Sequence, residues 1–294
     1  MMNELIGFFY VLLAGFGFGF LGIFARLGFR SGLTVGEILT WRFSLAAIIL
    51  WIALLFFKRK LIRLTRKQIF ISAALGAFGY ALFSSLYFLA IQGISVSLAA
   101  MLLFTFPIFV NLGAHFFLKE HLKLRQFISL ILALIGIGIL VWGPIIINST
   151  QAIIYAILAS VSYSVYVLVS GYFQKGVEPL SSSLYVISAT ALMLFIFHQP
   201  SLNRLQNFSA EQLWIVFGLA TVCTIAPLTL FLAGLQKLSS TKASIVVMIE
   251  PVVAALAAWV FLNERLSLSQ IGGAIVILVA LILNSKKSSD NDRQ

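Results

Sequence analysis

Charged residues are scarce in this sequence. Asp, Glu, Lys and Arg together make up 10% of the 294 residues, whereas soluble domains carry roughly 25%. The mean hydropathy is +1.06, and no polar stretch is long enough to fold as a separate domain in water. A lipid bilayer is therefore the main solvent of this chain, and its function must lie within the membrane or at the membrane faces.

Cysteine is nearly absent as well. The single Cys223 excludes a disulfide framework and a cysteine-based metal site within one chain. His115 and His121 are six positions apart and would point to different faces of a helix, so they form no metal site with His198. The sequence also lacks a G-x-x-x-x-G-K-[ST] loop. We therefore expect no metal, no cofactor, no catalytic residues and no ATP hydrolysis by this chain.

The net charge of +11 can indicate a nucleic-acid partner, but the basic residues lie between apolar runs and form no basic domain. Membrane topology explains them better, because cytoplasmic loops retain Lys and Arg. Fifteen Lys and Arg residues gather on one side of the predicted membrane, and four lie on the other side: Arg26, Arg30, Arg204 and Arg265. We predict a multi-pass protein of the cell (inner) membrane with both termini in the cytoplasm.

Ten apolar runs are each long enough to cross the hydrocarbon core, which needs about 20 helical residues. They predict an all-α integral membrane protein. The runs lie near Leu5 to Ala25, Gly36 to Phe57, Ile69 to Ala90, Ser95 to Leu118, Phe127 to Ile147, Gln151 to Gly171, Leu180 to Phe197, Leu213 to Gly234, Ala243 to Leu262 and Gln270 to Asn284.

The sequence repeats itself at a shift of 144 positions. Gln92 to Gln126 matches Gln236 to Gln270 without a gap, with twelve identities in thirty-five positions, and Pro107 pairs with Pro251. Apolar composition alone does not readily give this many identities. The repeat predicts two halves of five spans each.

An odd number of spans in each half places the two halves in opposite directions across the membrane. The charges agree, since Lys119, Lys123 and Arg125 correspond to Asn263, Ser267 and Ser269. Inverted repeats of this kind let transporters alternate between states around a site at the membrane midplane. We expect one repeat in residues 1–147, the second, inverted repeat in residues 148–284, and a disordered cytoplasmic tail in residues 285–294.

The chain resembles the EamA-type transporters of the drug/metabolite transporter superfamily from Leu5 to Leu283. The resemblance rests on Trp41-Arg42-Phe43, on the repeated blocks around Pro107 and Pro251, and on Glu120 and Glu264 at the ends of two spans. It implies export of amino acids or related small metabolites by alternating access, with a central cavity between the halves. Because no ATP hydrolysis is expected, the energy would come from a gradient of an ion, such as the proton, or of a substrate, which makes the protein a secondary active transporter.

Three other functions remain open, and one of them, a non-transporting receptor or scaffold, would need no solute cavity. Efflux of lipophilic cations or drugs would suit a buried carboxylate among aromatic rings. A membrane-embedded enzyme acting on lipid-linked substrates would need acids, bases or metal ligands clustered at one face, and the sequence does not place its few intramembrane ionisable groups together.

Glu250 is the first candidate for binding substrate or coupling transport, because an ionisable group near the middle of a span is costly. It can bind a substrate ammonium or exchange a proton. Alternatively, it bonds to backbone groups that Pro251 leaves open. Its repeat partner is Phe106, so the symmetry breaks at this position.

Arg42 lies in the outer part of the second span and can hold a carboxylate with its fork of donors. Alternatively, it reaches the outer headgroups or pairs with Glu37.

Two polar stripes complete the binding candidates. Tyr80, Ser84 and Tyr87 share one face of the third span, and Ser162, Tyr166 and Ser170 share one face of the sixth. Each stripe lines a cavity, or each contributes hydrogen bonds between packed helices.

The eighth span holds Thr224, a further binding candidate, and Pro227. A proline removes a helical hydrogen bond, so Pro227 is a hinge candidate or the site of a static kink.

Overall fold

The computed structural model of the protein describes residues 2–120, 123–142, 147–262 and 265–285. Within these ranges the chain forms ten apolar helices, and nine of them have at least 18 residues and the apolar composition needed to cross a membrane. The tenth, α5, has 17 residues, which still suffices for a bilayer. The helices are α1 (Met2–Arg30), α2 (Val35–Phe57), α3 (Arg66–Gly93), α4 (Val96–Leu118), α5 (Leu124–Leu140), α6 (Thr150–Phe173), α7 (Pro179–His198), α8 (Ala210–Leu235), α9 (Ser240–Leu262) and α10 (Leu268–Ser285).

The prediction of an all-α membrane protein with ten helices is confirmed, but one boundary is wrong. The fifth run was expected to reach Ile147, whereas α5 ends at Leu140 and Ile147 forms an isolated antiparallel bridge with Ile94. Hydropathy could not mark this end, because apolar residues continue beyond it. Ser285 ends α10 rather than beginning the predicted tail, and the rest of that tail lies outside the described residues, as does Glu264.

The turns after the first helix of each half have the same backbone conformation. Gly32 joins α1 to α2 with φ +86°, and Gly176 joins α6 to α7 with φ +80°. These two residues are 144 positions apart, the spacing of the sequence repeat. A side chain would strain this left-handed conformation, so glycine at both positions lets each half begin with the same tight turn.

Two helices widen into π-helical turns at corresponding positions. In α3 the π segment is Leu75–Tyr80, and in α8 it is Thr221–Ile225. Shifted by 144 positions, the first segment falls on residues 219–224, so the two segments overlap. Such turns occur frequently at functional sites, and each half of this chain carries one at a corresponding position of the repeat.

Side-chain hydroxyl groups bond to backbone carbonyls in and beside these widened turns. A membrane interior offers no water to satisfy such carbonyls, so the protein must supply the donors. The donors are Thr190 to the Gly76 carbonyl at 2.9 Å, Ser162 to the Gly79 carbonyl at 3.3 Å, and Thr224 to the Leu219 carbonyl at 2.8 Å.

The repeated prolines coincide with a second pair of helix breaks. A proline lacks an N–H and is best tolerated in the first turn of a helical segment. Pro107 and Pro251 both occupy that first turn. The segments of α4 are Val96–Leu103 and Phe106–Leu118, and those of α9 are Ser240–Val246, a short 3₁₀ turn at Val247–Ile249, and Glu250–Leu262.

The last helices of the two halves, α5 and α10, pack against each other. They begin at Leu124 and Leu268, which are repeat partners. Gly136 and Gly273 lie at this crossing, and a Cβ added to Gly273 would lie 2.6 Å from the Gly136 carbonyl oxygen. The absence of side chains at these two positions allows the helix backbones to approach closely.

Replacing Gly273 by alanine should therefore separate α5 from α10. We expect Gly273→Ala to lower the free energy of unfolding by about 1–3 kcal/mol, the usual cost of overpacking. Gly272→Ala is the matched control, since a Cβ there meets no atom within 4 Å, and it should leave the stability unchanged or raise it by up to about 1 kcal/mol, because alanine favours a helix more than glycine does. Thermal unfolding in detergent would compare the two variants, and equal Tm values would contradict this account of the crossing.

Candidate functional site

A cavity of about 440 Å³ lies between the two halves, mainly among α1, α3, α4 and α9. It occupies the end of the bundle that holds the α1–α2 turn. Arg26 and Arg265 line the cavity near that end, and Phe106 and Glu250 line it at the helix breaks. The cavity thus extends from the membrane face of the four predicted external arginines to the depth of the repeated prolines.

Aromatic rings form much of the deeper wall. Tyr163 of α6 is in contact with rings from two other helices, because its centroid lies 4.7 Å from those of both Phe83 and Phe106. Tyr80 stands edge-on to Phe83 at 5.5 Å. Ring faces attract cations and also pack against apolar groups, so this wall suits a solute with either feature.

Glu250 begins the outer segment of α9 and lines the cavity. Its side chain is half-buried. Among the described residues its carboxylate takes part in no hydrogen bond and no ion pair. The alternative that Glu250 satisfies backbone groups opened by Pro251 therefore has no support in this structure. A carboxylate at this depth is left available to a solute.

Arg42 also lines the cavity, although only 2% of its surface is exposed. Its Nε donates a hydrogen bond of 2.7 Å to Thr224 Oγ1, and its guanidinium carbon lies 4.6 Å from the centroid of the Phe43 ring. The Arg42 side chain also forms a hydrogen bond with Tyr80, which lines the same cavity. Thr224 and Tyr80 thus hold the guanidinium in the cavity wall.

The pairing of Arg42 with Glu37 is wrong. Glu37 instead forms an ion pair with Arg204 at 2.7 Å and caps α2 through Thr34. Residues five apart on a helix are about 140° apart around its axis, so Glu37 and Arg42 face different directions. Burial likewise excludes the alternative in which Arg42 reaches the outer headgroups.

Thr224 lies behind the cavity wall rather than in it. It is fully buried in the π segment of α8, where its hydroxyl donates to Leu219 five residues earlier and accepts from Arg42. The wider turn therefore brings Thr224 to the guanidinium. Pro227 follows the π segment and packs against Gly17 of α1; its role as a hinge stays a prediction.

Of the two predicted polar stripes, the one on α3 lines the cavity and the one on α6 does not. Tyr80, Ser84 and Tyr87 of α3 all line the cavity. Ser162 and Tyr166 of α6 do not line it: Ser162 bonds to the Gly79 carbonyl, and Tyr166 is fully buried against Tyr80 with ring centroids 5.3 Å apart. The face that the sequence indicated on α6 therefore packs against α3 in this structure.

Sequence reasoning missed Tyr163 and Phe106. The repeat contained a signal for both, because Tyr163 is the partner of Gly19, and Phe106 is the partner of Glu250. All four of these residues line the cavity. When a residue and its repeat partner line the same cavity, both lie near the pseudo-two-fold axis that relates the halves. These four residues, which we call the quartet, therefore mark the centre of the site.

The structure offers little to a metal ion. No cluster of three or more His, Cys, Asp or Glu side chains able to hold one occurs in the described ranges.

Loss of the Thr224 hydroxyl should destabilise the protein by leaving a buried charged donor without its acceptor. We expect Thr224→Val to cost about 1–3 kcal/mol, and Thr224→Ser to retain most of the stability. Thr221→Val is a control in the same π segment, because Thr221 bonds only to the Phe217 carbonyl of its own helix. Thermal unfolding in detergent would measure all three, and a wild-type Tm for Thr224→Val would contradict the role of Thr224 in holding Arg42.

Comparisons with known proteins agree with this architecture. The model of the EamA-like transporter family matches twice, at residues 5–142 and 150–286. A protein of Archaeoglobus fulgidus named an uncharacterized transporter is 30% identical over 69% of this chain and 74% of its own length. A protein of Rickettsia bellii named an S-adenosylmethionine uptake transporter is 23% identical over 86% of this chain and 85% of its own.

The fold also occurs among solved structures. One crystal structure superimposes with a TM-score of 0.77 over 96% of both chains at 18% identity. The family and these relatives are transporters, which removes the membrane-embedded enzyme from consideration. From the two family matches, one in each half, it follows that this chain is a multi-pass membrane transporter and belongs to the EamA-like transporter family.

Proposed function

We propose that this protein is a secondary active transporter that exports amino acids or related small metabolites by alternating access. The observation that carries the proposal is that one cavity presents both the Arg42 guanidinium and the Glu250 carboxylate. The halves of the chain provide one charge each, and in the described residues neither side chain forms a salt bridge, although the two attract each other across the cavity.

A zwitterion complements this pair of charges. The terminal nitrogens of Arg42 can bind a carboxylate in the bidentate manner that guanidinium favours. Glu250 can bind an ammonium, with the faces of Phe106 and Tyr163 beside it. An ionisable residue inside a membrane costs about 3 kcal/mol on insertion scales, so two of them in one cavity favour a charged ligand.

The sequence also supports an energy source and an orientation for this proposal. A chain without a nucleotide-binding loop must use a gradient of an ion or of a solute, and Glu250 is the group best placed to exchange a proton. The excess of Lys and Arg at the other end of the bundle supports cytoplasmic termini in the cell (inner) membrane. The present cavity would then open to the outside.

Transport of organic cations is the second candidate. A carboxylate beside aromatic rings is sufficient for a cation without any carboxylate of its own, and Arg42 would then contribute little. S-adenosylmethionine, named for the Rickettsia relative, combines an amino-acid headgroup with a sulfonium cation and so suits both hypotheses. The same name specifies uptake, so flux must be measured in both directions.

Flux in proteoliposomes tests the proposal directly. The purified protein should carry at least one labelled amino acid in a saturable manner, above empty liposomes, with a rate that responds to an imposed proton gradient. The panel should include amines, lipophilic cations and S-adenosylmethionine beside the amino acids. Flux of cations alone would favour the second candidate. A folded protein that moves no amino acid would overturn the first.

Substitutions at Arg42 and Glu250 test separately how the carboxylate and the ammonium of the ligand are bound. Arg42→Gln should lower the affinity for an amino acid by about 10–100-fold, the usual cost of losing a charged hydrogen bond. The affinity for the corresponding amine should stay almost unchanged. Glu250→Gln should lower the affinity for both ligands and remove the pH dependence of transport. Competition against a transported solute would measure the four affinities. Intact pH-dependent transport in a folded Glu250→Gln protein would exclude an essential proton role.

A further inference from the structure

A groove of about 340 Å³ lies at the end of the bundle where α1 begins and α10 ends. Its sides are formed by α1 and α10, and both helices pack on the first segment of α9, Ser240–Val246, which lies at its floor. Leu238 and Val246 line this floor and are buried. We call this hollow the terminal groove.

The terminal groove is separate from the solute cavity. Of its described residues, none lines that cavity. Most of them also have repeat partners that lie outside the cavity, among them Leu5, Phe8, Leu238, Lys242 and Val246. The groove is therefore not the repeat counterpart of the cavity, and its chemistry has to be explained on its own.

The sides of the terminal groove face lipid. Leu5 of α1 is 54% exposed and Ile282 of α10 is 58% exposed, and large apolar side chains exposed on membrane helices contact the lipid chains. Toward the ends of the two helices the lining becomes polar, with Glu4, Lys242 and Asn284. This change from apolar to charged side chains places the polar part of the groove at the level of the lipid headgroups.

Two opposite charges lie side by side at this level. Lys242 Nζ is 3.3 Å from Glu4 Oε1, and the two side chains are 26% and 59% exposed. An exposed ion pair of this kind contributes little to stability by itself. An ammonium has three N–H donors and a carboxylate accepts several hydrogen bonds, so both side chains can bind a second partner. The pair can therefore hold an anionic and a cationic group next to each other.

Asn284 adds a hydrogen-bond acceptor to the groove. It is 4% exposed, and its Nδ2 donates a hydrogen bond of 3.3 Å to the Lys242 carbonyl. This bond identifies the oxygen of the amide, because a reversed amide would place two oxygens together. Oδ1 has no hydrogen-bond partner among the described residues. A buried acceptor without a donor is uncommon, so a ligand with an N–H group complements it.

We propose that the terminal groove binds the headgroup of a phosphatidylethanolamine lipid. The phosphate lies against Lys242, and the ammonium donates to Glu4 and to Asn284 Oδ1. One acyl chain follows Leu5 and Phe8 into the membrane. The three polar side chains thus each meet a group of the headgroup that has the opposite charge or the complementary hydrogen-bonding capacity.

Other phospholipid headgroups complement the groove less well. Choline has the same charge as ethanolamine but no N–H, so Asn284 Oδ1 would stay unpaired. Glycerol has O–H donors but no cation, so it would offer no charge to Glu4. A buried polar group that stays unpaired lowers the affinity, and this penalty gives the site its selectivity.

Competition between lipids with identical acyl chains tests the proposal. The full-length protein in detergent is mixed with the ethanolamine, choline and glycerol lipids, and native mass spectrometry measures which lipid stays bound. Mono- and dimethylated ethanolamine lipids remove the N–H donors one at a time. The ethanolamine lipid should bind at least about tenfold more tightly than the choline lipid, with the methylated lipids between them.

Substitutions in the groove should remove this preference. Asn284→Leu deletes the unpaired acceptor. Asn111→Leu is its matched control, because Asn111 is also buried, its Nδ2 also donates to a backbone carbonyl and its Oδ1 is also unpaired, but it lies outside the groove. Glu4→Gln should reduce the preference. Glu211→Gln, which changes an exposed carboxylate at the start of α8, should leave it intact.

The proposal fails on any of three results. The wild type can bind the choline lipid as tightly as the ethanolamine lipid, it can bind the glycerol lipid most tightly, or Asn111→Leu can lose the preference as fully as Asn284→Leu. If Asn284→Leu does not fold, Glu4→Gln and the methylated lipids decide, because Glu4 is exposed. No transport is measured, so the outcome is independent of the identity of the solute.

Discussion

Every backbone N–H and C=O inside a bilayer must find its partner within the protein, and this requirement governs where the chain can depart from regular helix. The departures in α3, α4, α8 and α9 come in repeat-related pairs. Hydroxyl groups bond to carbonyls at the widened turns, and prolines remove donors at the breaks. Irregular backbone is tolerated in a membrane only where it is enclosed by protein or faces water. The cavity extends to these departures and so provides one such surrounding.

The wider turns also determine side-chain chemistry. A regular helix would place Thr224 at a different angle, away from Arg42, and the guanidinium would lose the acceptor that holds its Nε. A buried cation needs such support on one side if its other donors are to remain available for a ligand. The backbone irregularity in α8 and the position of Arg42 in the cavity wall are therefore parts of one arrangement.

Much of the fold could be predicted from the sequence, because hydropathy over about 20 residues reports on solvent and the 144-residue repeat reports on symmetry. Glu250 and Arg42 could also be identified as site candidates, because an ionisable side chain inside a membrane span costs free energy. The rotation of each helix about its axis could not be predicted, since both faces of α6 carry tyrosines and serines, and tertiary packing selects Tyr163 over Tyr166. The partner of Thr224 was equally hidden, because a π turn has no distinct hydropathy.

The quartet at the repeat axis is symmetric in position but not in charge. Gene duplication would have supplied two identical residues at positions 106 and 250, yet one is phenylalanine and only the other is a glutamate. A single carboxyl group limits the stoichiometry of any proton coupling through Glu250 to one proton for each cycle. One pH unit is equivalent to about 1.4 kcal/mol, so such a gradient alone could sustain at most about a tenfold concentration ratio of a neutral solute. For proton-coupled transport through Glu250 alone, this ratio would be the limit on accumulation, and a second carboxylate that carried a second proton would square it.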